Sequence, residues 1–170
     1  MSSTLSDLYD GDNQKTSAIG TSPPLCVTQG APPDETVSAV ATLAQKFANI
    51  TDARTVAYPE KVPAGLGPWP KLSQSTGVHA EMIIVRAWLI QEMSPPRSST
   101  LEVAMASLRG RYIEASQSAC WYCHAFMTKA GITMGDSTLG KKPRTAWVSP
   151  ITGAVIANAD MPESSKDVKF

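Results

Sequence analysis

The sequence predicts an α/β layered domain, and three observations carry that expectation. An almost wholly apolar run from Val78 to about Met93 has helical length and stops at Pro95-Pro96. A second helical run from about Ala119 to Ala130 ends at Gly131, a residue type suited to a helix C-cap. Short β-rich stretches at 112–115, 145–149 and 154–157 alternate with these helices or follow them. Helices interleaved with short strands pack as layers over a mixed sheet, here of about five strands.

Each element has its own reason. Residues 1–33 are rich in Ser, Thr, Gly, Asp and Pro and read as a flexible leader or arm, leaving 34–170 as one domain. Asp34-Glu35 after Pro32-Pro33 starts a helix, and Val37, Val40, Leu43, Ala44, Phe47 and Ile50 recur at helical spacing, so 34–49 reads as an amphipathic helix. Residues 53–58 read as a strand ended by Pro59. The four prolines and two glycines of 59–70 make a loop, and 71–74 a short second strand. The run 78–93 is apolar nearly all round, which predicts burial on more than one side. Residues 97–109 suggest a short extra helix. Tyr112 to Ala115 is a strand, Gly135 to Lys142 a polar loop, and 145–149 and 154–157 are two strands close enough for an antiparallel hairpin around 150–153. The tail from Asn158 is polar and expected to fray.

A length of 170 residues allows one domain with a sizeable core, and 42% hydrophobic against 18% charged residues suits a soluble globular chain. No apolar run reaches transmembrane length, and Met1 to Asp12 is polar and acidic, unlike a signal peptide. Three cysteines argue against a disulfide scaffold and for a reducing cytoplasm. Net charge is zero but uneven: 1–60 carries seven acidic and three basic side chains, whereas 95–150 carries seven basic and three acidic. The basic excess brackets Cys120. It suits a phosphate-bearing substrate through Arg109, Arg111, Lys141, Lys142 and Arg144, or equally an ordinary solvated face.

Two short motifs carry the chemistry. Val78-His79-Ala80-Glu81 opens one helical run, and Ser118-Ala119-Cys120-Trp121-Tyr122-Cys123 opens the other. His79, Cys120 and Cys123 offer one nitrogen and two sulfurs, a donor set suited to Zn²⁺. The other His, His124, adjoins Cys123, and the other Cys, Cys26, lies far upstream, so no fourth protein ligand is obvious. Three ligands and an open position mark a catalytic zinc rather than a structural one. Glu81 stands two residues past His79, near the metal but free to carry protons. Placing each motif at a helix start aims them at one point and favours the thiolates through the N-terminal amides. The competing readings are a buried core His with two chance cysteines, or a Cys120–Cys123 disulfide.

H-x-E followed by C-x-x-C resembles the signature of the cytidine deaminase-like superfamily. In motif identity the resemblance covers His79-Ala80-Glu81 and Cys120 to Cys123, and in element order about 34–157. Within the superfamily the chain looks most like the bacterial polymorphic-toxin deaminases, through its compact size, its final strand hairpin and its Ser-x-Cys-aromatic-aromatic-Cys segment. Two features depart from the pattern: Ala119 stands where many members have Pro, and residues 94–110 lengthen the gap between the motifs. The resemblance implies a three-layer fold with zinc between two helix N-termini, ligands His79, Cys120 and Cys123, and Glu81 as proton shuttle. It implies base contacts from the Ala80 N–H and the carbonyl near Ser118. Trp121, Tyr122 and Trp69 are candidates either for stacking the base or for packing. The implied activity is deamination of cytosine to uracil in DNA, single- or double-stranded, by a toxin domain. Alternatives are RNA, adenine, free nucleosides or nucleotides, and an inactive zinc-stabilised module. Implied partners are nucleic acid and a cognate immunity protein, with a monomeric chain, no membrane, and delivery into a target cell as one route of action.

Overall fold

The computed structural model describes residues 62–69, 78–115 and 117–170, together with the backbone of three strands at 17–21, 25–28 and 54–55. Strands β1 (Ser17–Thr21), β2 (Leu25–Thr28) and β3 (Arg54–Thr55) precede helix α1 (Ala80–Met93). Then come α2 (Leu101–Ser107), β4 (Tyr112–Ala115), α3 (Trp121–Ala130), β5 (Thr133–Met134), β6 (Ala146–Val148) and β7 (Val155–Ala157). The expected helix 34–49 and strand 71–74 lie outside the described residues.

The main sheet is mixed, with strand order β3-β2-β1-β4-β5. β1 runs antiparallel to β2 and to β4, while β2 pairs with β3 and β4 with β5 in parallel. Five strands are therefore present, but not the five the sequence suggested. Residues 17–21 and 25–28, read as a leader, are hydrogen-bonded into the sheet, so the domain begins before residue 34. These short strands hold too few alternating apolar residues to stand out against a Ser/Thr/Gly background. β5 is two residues long and equally silent. The expected strands 145–149 and 154–157 do form an antiparallel pair, with Ala146 opposite Ala157 and Val148 opposite Val155. That pair is a separate ribbon rather than part of the main sheet.

Helix α1 is the central element. Apart from Ala87, Ile90 and Gln91, every residue in it is buried, and it contacts β1, β2, β4 and α2. Its near-uniform apolarity follows from being covered by the sheet and by the segments across from it. It stops at Ser94, before Pro95-Pro96. The extra helix between the motifs is α2, opened by Thr100, whose side chain accepts the Val103 N–H at 3.2 Å. Helix α3 ends as expected at Gly131, in the left-handed region at φ 76°.

The core is one cluster, and Trp88, Trp147 and Tyr122 are its largest fully covered side chains. The C-terminal tail is not frayed. It forms 3₁₀ turns at Asn158–Asp160 and Ser165–Asp167, buries Met161, and sets the Phe170 ring 5.5 Å from Phe126 and 5.9 Å from Trp147. Two apolar anchors in a polar stretch are enough to dock it, and composition averages hide them.

Candidate metal centre

The two motifs meet at the starts of α1 and α3. His79 is the N-cap residue of α1, in extended backbone at φ −85° and ψ 146°, and its side chain makes no capping bond. The imidazole therefore faces the other helix instead. Cys120 is the N-cap of α3, and its Sγ accepts the Cys123 N–H at 3.4 Å. That cap places both sulfurs on the first turn of one helix. His79 Nδ1 lies 3.4 Å from Cys120 Sγ and 3.4 Å from Cys123 Sγ. The three donor atoms all fall within 4.8 Å of one another. Bonds of about 2.3 Å to sulfur and about 2.05 Å to nitrogen at tetrahedral angles put N and S about 3.6 Å apart. The observed separations fit that geometry closely, so this group can hold a metal ion and is compatible with zinc. His124 is not a fourth ligand: its Nε2 meets the Ser137 carbonyl at 3.0 Å.

The ionisable groups at the site act on one another. Burial opposes ionisation of Cys120, yet its hydrogen bonds with Cys123 and the neighbouring His79 outweigh burial and hold this thiol well below its usual range. Burial pushes Cys123 well up, and the Cys120 thiolate reinforces the shift. Burial also works against a charged His79, but the Cys120 charge and hydrogen bond prevail and raise its pKa. Glu81 is 3% exposed, and burial raises its carboxyl, partly offset by His79. Its Oε1 has no hydrogen-bond partner among the described residues.

The remaining sequence candidates divide. Ala80 opens α1 fully buried, and its N–H is one of the first-turn amides that a helix cannot satisfy internally. Ser118 Oγ donates to Asp136 at 3.0 Å. Trp121 is half-buried, and its N–H donates to the Lys141 carbonyl at 3.2 Å. The Gly140 N–H donates to the Ala119 carbonyl at 2.7 Å, so the loop 135–142 runs alongside the Cys120 segment. A Cβ on Gly140 would stand 2.5 Å from the Ala119 carbonyl oxygen and 2.7 Å from that of Ser118, which is why glycine is required there. This tether brings Lys141 and Lys142 beside the site, with the exposed Arg144 just beyond.

Other candidates are placed elsewhere. Tyr122 is a core residue, 2% exposed, with its ring 5.2 Å from that of Trp147, so that face cannot stack a base. Trp69 packs under the Arg86 guanidinium at 4.9 Å and donates its indole N–H to Ser149 at 2.7 Å. Arg111 is structural: it pairs with Glu92 at 3.0 Å, lies 5.1 Å over Trp88, and its side chain is only 11% exposed. Arg109 is exposed but lies against Gly131, at the far end of α3 from Cys120. Ten helical residues separate those ends by roughly 15 Å.

Sequence reasoning missed two contributors. A small pocket bounded by Gln117, Ala119, Met134 and Asp136 reaches Glu81. Trp147 donates its indole N–H to Cys123 Sγ at 3.4 Å. Gln117, Met134, Asp136 and Trp147 all lie outside the two motifs.

Compared with known proteins, the chain matches no family model, no curated protein and no solved structure. Fold and site together define a mixed α/β domain with a His-Cys-Cys group between two helix starts that could bind a metal ion.

Proposed function

We propose that this chain is a zinc-dependent hydrolytic deaminase that converts cytosine to uracil in DNA, in a domain of the toxin-deaminase kind. The observation that carries the reading is Glu81. A buried carboxylate with one oxygen unpartnered among the described residues, two residues from one donor of a three-donor group, has no use in a purely structural metal site. It suits a group that takes a proton from water and delivers it to the leaving side.

Zinc held by His79, Cys120 and Cys123 would supply the Lewis acidity that makes water nucleophilic at neutral pH. Glu81 accepts the proton of the attacking water and passes it to the ring nitrogen beside the amino-bearing carbon. A second transfer to the amino group lets it leave as ammonia, so that cytosine and water become uracil and ammonia. The raised Glu81 carboxyl suits a group that must both take and return a proton. On this reading the Ala80 N–H, at a helix N-terminus, would hold the base carbonyl.

Polynucleotide is favoured over free nucleoside by Lys141 and Lys142, brought beside the Cys120 segment by the Gly140 tether, and by the exposed Arg144 just beyond. The test compares catalytic efficiency on cytidine, single-stranded DNA, its duplex and the matching RNA, with products read by sequencing. The expected result is C-to-U conversion in DNA with little turnover of cytidine. Equal efficiency on cytidine and on every oligomer would overturn the nucleic-acid reading.

A further inference from the structure

A tryptophan in a core must find an acceptor for its indole N–H. Trp147 is wholly buried, with its ring against Tyr122 at 5.2 Å and Phe126 at 6.4 Å. The acceptor it finds is the Cys123 sulfur at 3.4 Å. The strand that carries it is fixed at both ends. Ahead of β6, the Asn158 N–H donates to the Thr145 carbonyl at 2.8 Å and its side-chain amide to Pro143 at 2.6 Å. Behind β6, Arg86 reaches out from α1, donating to the Pro150 carbonyl at 3.1 Å and the Gly67 carbonyl at 2.6 Å. The Gly67 N–H in turn donates to Ile151 at 2.8 Å. Arg86 is 4% exposed, and the bonds it makes are to backbone carbonyls and the Trp69 face. A buried cation spent on tying chain segments together fixes where β6 sits relative to α1, the helix that begins beside His79.

We propose that Trp147 is a positioning residue of the metal centre, its indole N–H occupying one lone pair of Cys123 Sγ and so fixing the direction in which that sulfur presents itself to a metal. The inference rests on the reading that His79, Cys120 and Cys123 hold a metal. It goes further by giving the ribbon β6–β7 a part in the site. A donor locked by the surrounding core holds the sulfur in place before the metal arrives, and it draws charge from the thiolate once it is bound. Partners of this kind typically set metal affinity by about 10- to 100-fold.

The test is Trp147→Phe in the full chain, which keeps an aromatic ring against Tyr122 and Phe126 while removing the N–H donor together with part of the indole. Zinc affinity is measured by chelator competition, and the sulfur-to-metal charge-transfer band by loading with Co²⁺. The expected result is zinc binding weaker by about 10- to 100-fold and a shifted band, at an unchanged circular dichroism spectrum. The control is Phe170→Ala, which removes a ring packed on Trp147 but not the N–H, and which should leave zinc affinity unchanged. Unchanged affinity and band in Trp147→Phe overturn the proposal. Should that variant fail to fold, the wild-type chain loaded with ¹¹³Cd decides. One of its four indole protons should couple to the metal through the sulfur, and no coupling at any of them overturns the proposal. A wild-type chain that binds neither zinc nor cadmium removes the metal centre itself and this inference with it.

Discussion

Replacing Arg111 by Ala separates a structural cation from a substrate-facing one. Arg111 Nη2 lies 3.0 Å from Glu92 Oε1, and both side chains are 11% exposed. Removing one partner of a buried pair costs about 3–5 kcal/mol, because a desolvated charge is left behind. Here Arg97 also pairs with the same Glu92 oxygen, but its side chain is 55% exposed and it covers Glu92 only in part. The low end, about 3 kcal/mol, is therefore expected from the pair. Loss of the cation over Trp88 adds about 1 kcal/mol. For a chain of this length each kcal/mol moves Tm by about 2–4 °C, so the fall should be roughly 10 °C. A Glu92→Met/Arg111→Met double variant should recover much of the loss, since the only charge left without its partner is the largely exposed Arg97 and no buried charge is stranded. Urea and thermal unfolding followed by circular dichroism measure this, and oligonucleotide affinity against salt is measured alongside. Arg111→Ala should leave the salt slope unchanged. The Lys141→Ala/Lys142→Ala/Arg144→Ala variant should flatten the slope by about two to three. A Tm that barely moves in Arg111→Ala, with a slope lower by about one, would refute the structural assignment and return Arg111 to the nucleic-acid surface.

Three further outcomes follow from the site. Cys123→Ala should lose most of its zinc in metal analysis of the purified chain, because a buried sulfur 3.4 Å from His79 Nδ1 has no substitute among the described residues of the group. Full occupancy in that variant would mean the ligands are misassigned. Glu81→Ala should keep zinc and fold while deamination of the best oligonucleotide falls by about 10²-fold or more, measured as single-turnover conversion; turnover near wild type would remove Glu81 from the chemistry. Zinc affinity should weaken as pH falls. Cys123 has its thiol pKa raised by burial and must lose that proton to ligate, so the protonated form, which dominates at lower pH, competes with metal. Chelator competition at several pH values reads this directly, and an affinity that does not change with pH would exclude proton release from the ligands.

The candidate metal-binding group was legible because local chain geometry is enough to bring each motif together. C-x-x-C at a helix start puts two sulfurs on one turn, and the H-x-E motif opening a helix puts Glu81 one residue past its first turn's opening residue. Neither statement needs knowledge of the rest of the fold. The hairpin of β6 and β7 was legible for a similar reason, since Pro150 to Gly153 closes it locally and Gly153 sits at φ 73°. The strands at 17–21 and 25–28 were not, because short polar strands become strands through their partners. β1 finds its partners in β2 and, across a separation of more than ninety residues, in β4, where Ala18 faces Ala115.

The same distinction explains why residue type misled at Arg111, Tyr122 and Trp69. An arginine among other basic residues reads as part of a charged surface, yet its role is decided by whether a carboxylate waits within reach. Glu92, on the end of α1, settles that for Arg111. An aromatic beside a metal ligand reads as a pocket wall, yet the helical turn decides which of two neighbours faces inward: Tyr122 does, while Trp121 stays half-buried. Trp69 is held by Ser149, 80 residues away in sequence. Conversely, Trp147 carried no signal because its partner, Cys123, is 24 residues distant and the bond exists only once β6 has docked. What a sequence motif reports is therefore the set of groups able to do chemistry. What it leaves out is the set that holds them still, and at this centre that second set is drawn from the ribbon β6–β7 and from Arg86, the buried cation that binds the turn of that ribbon to α1.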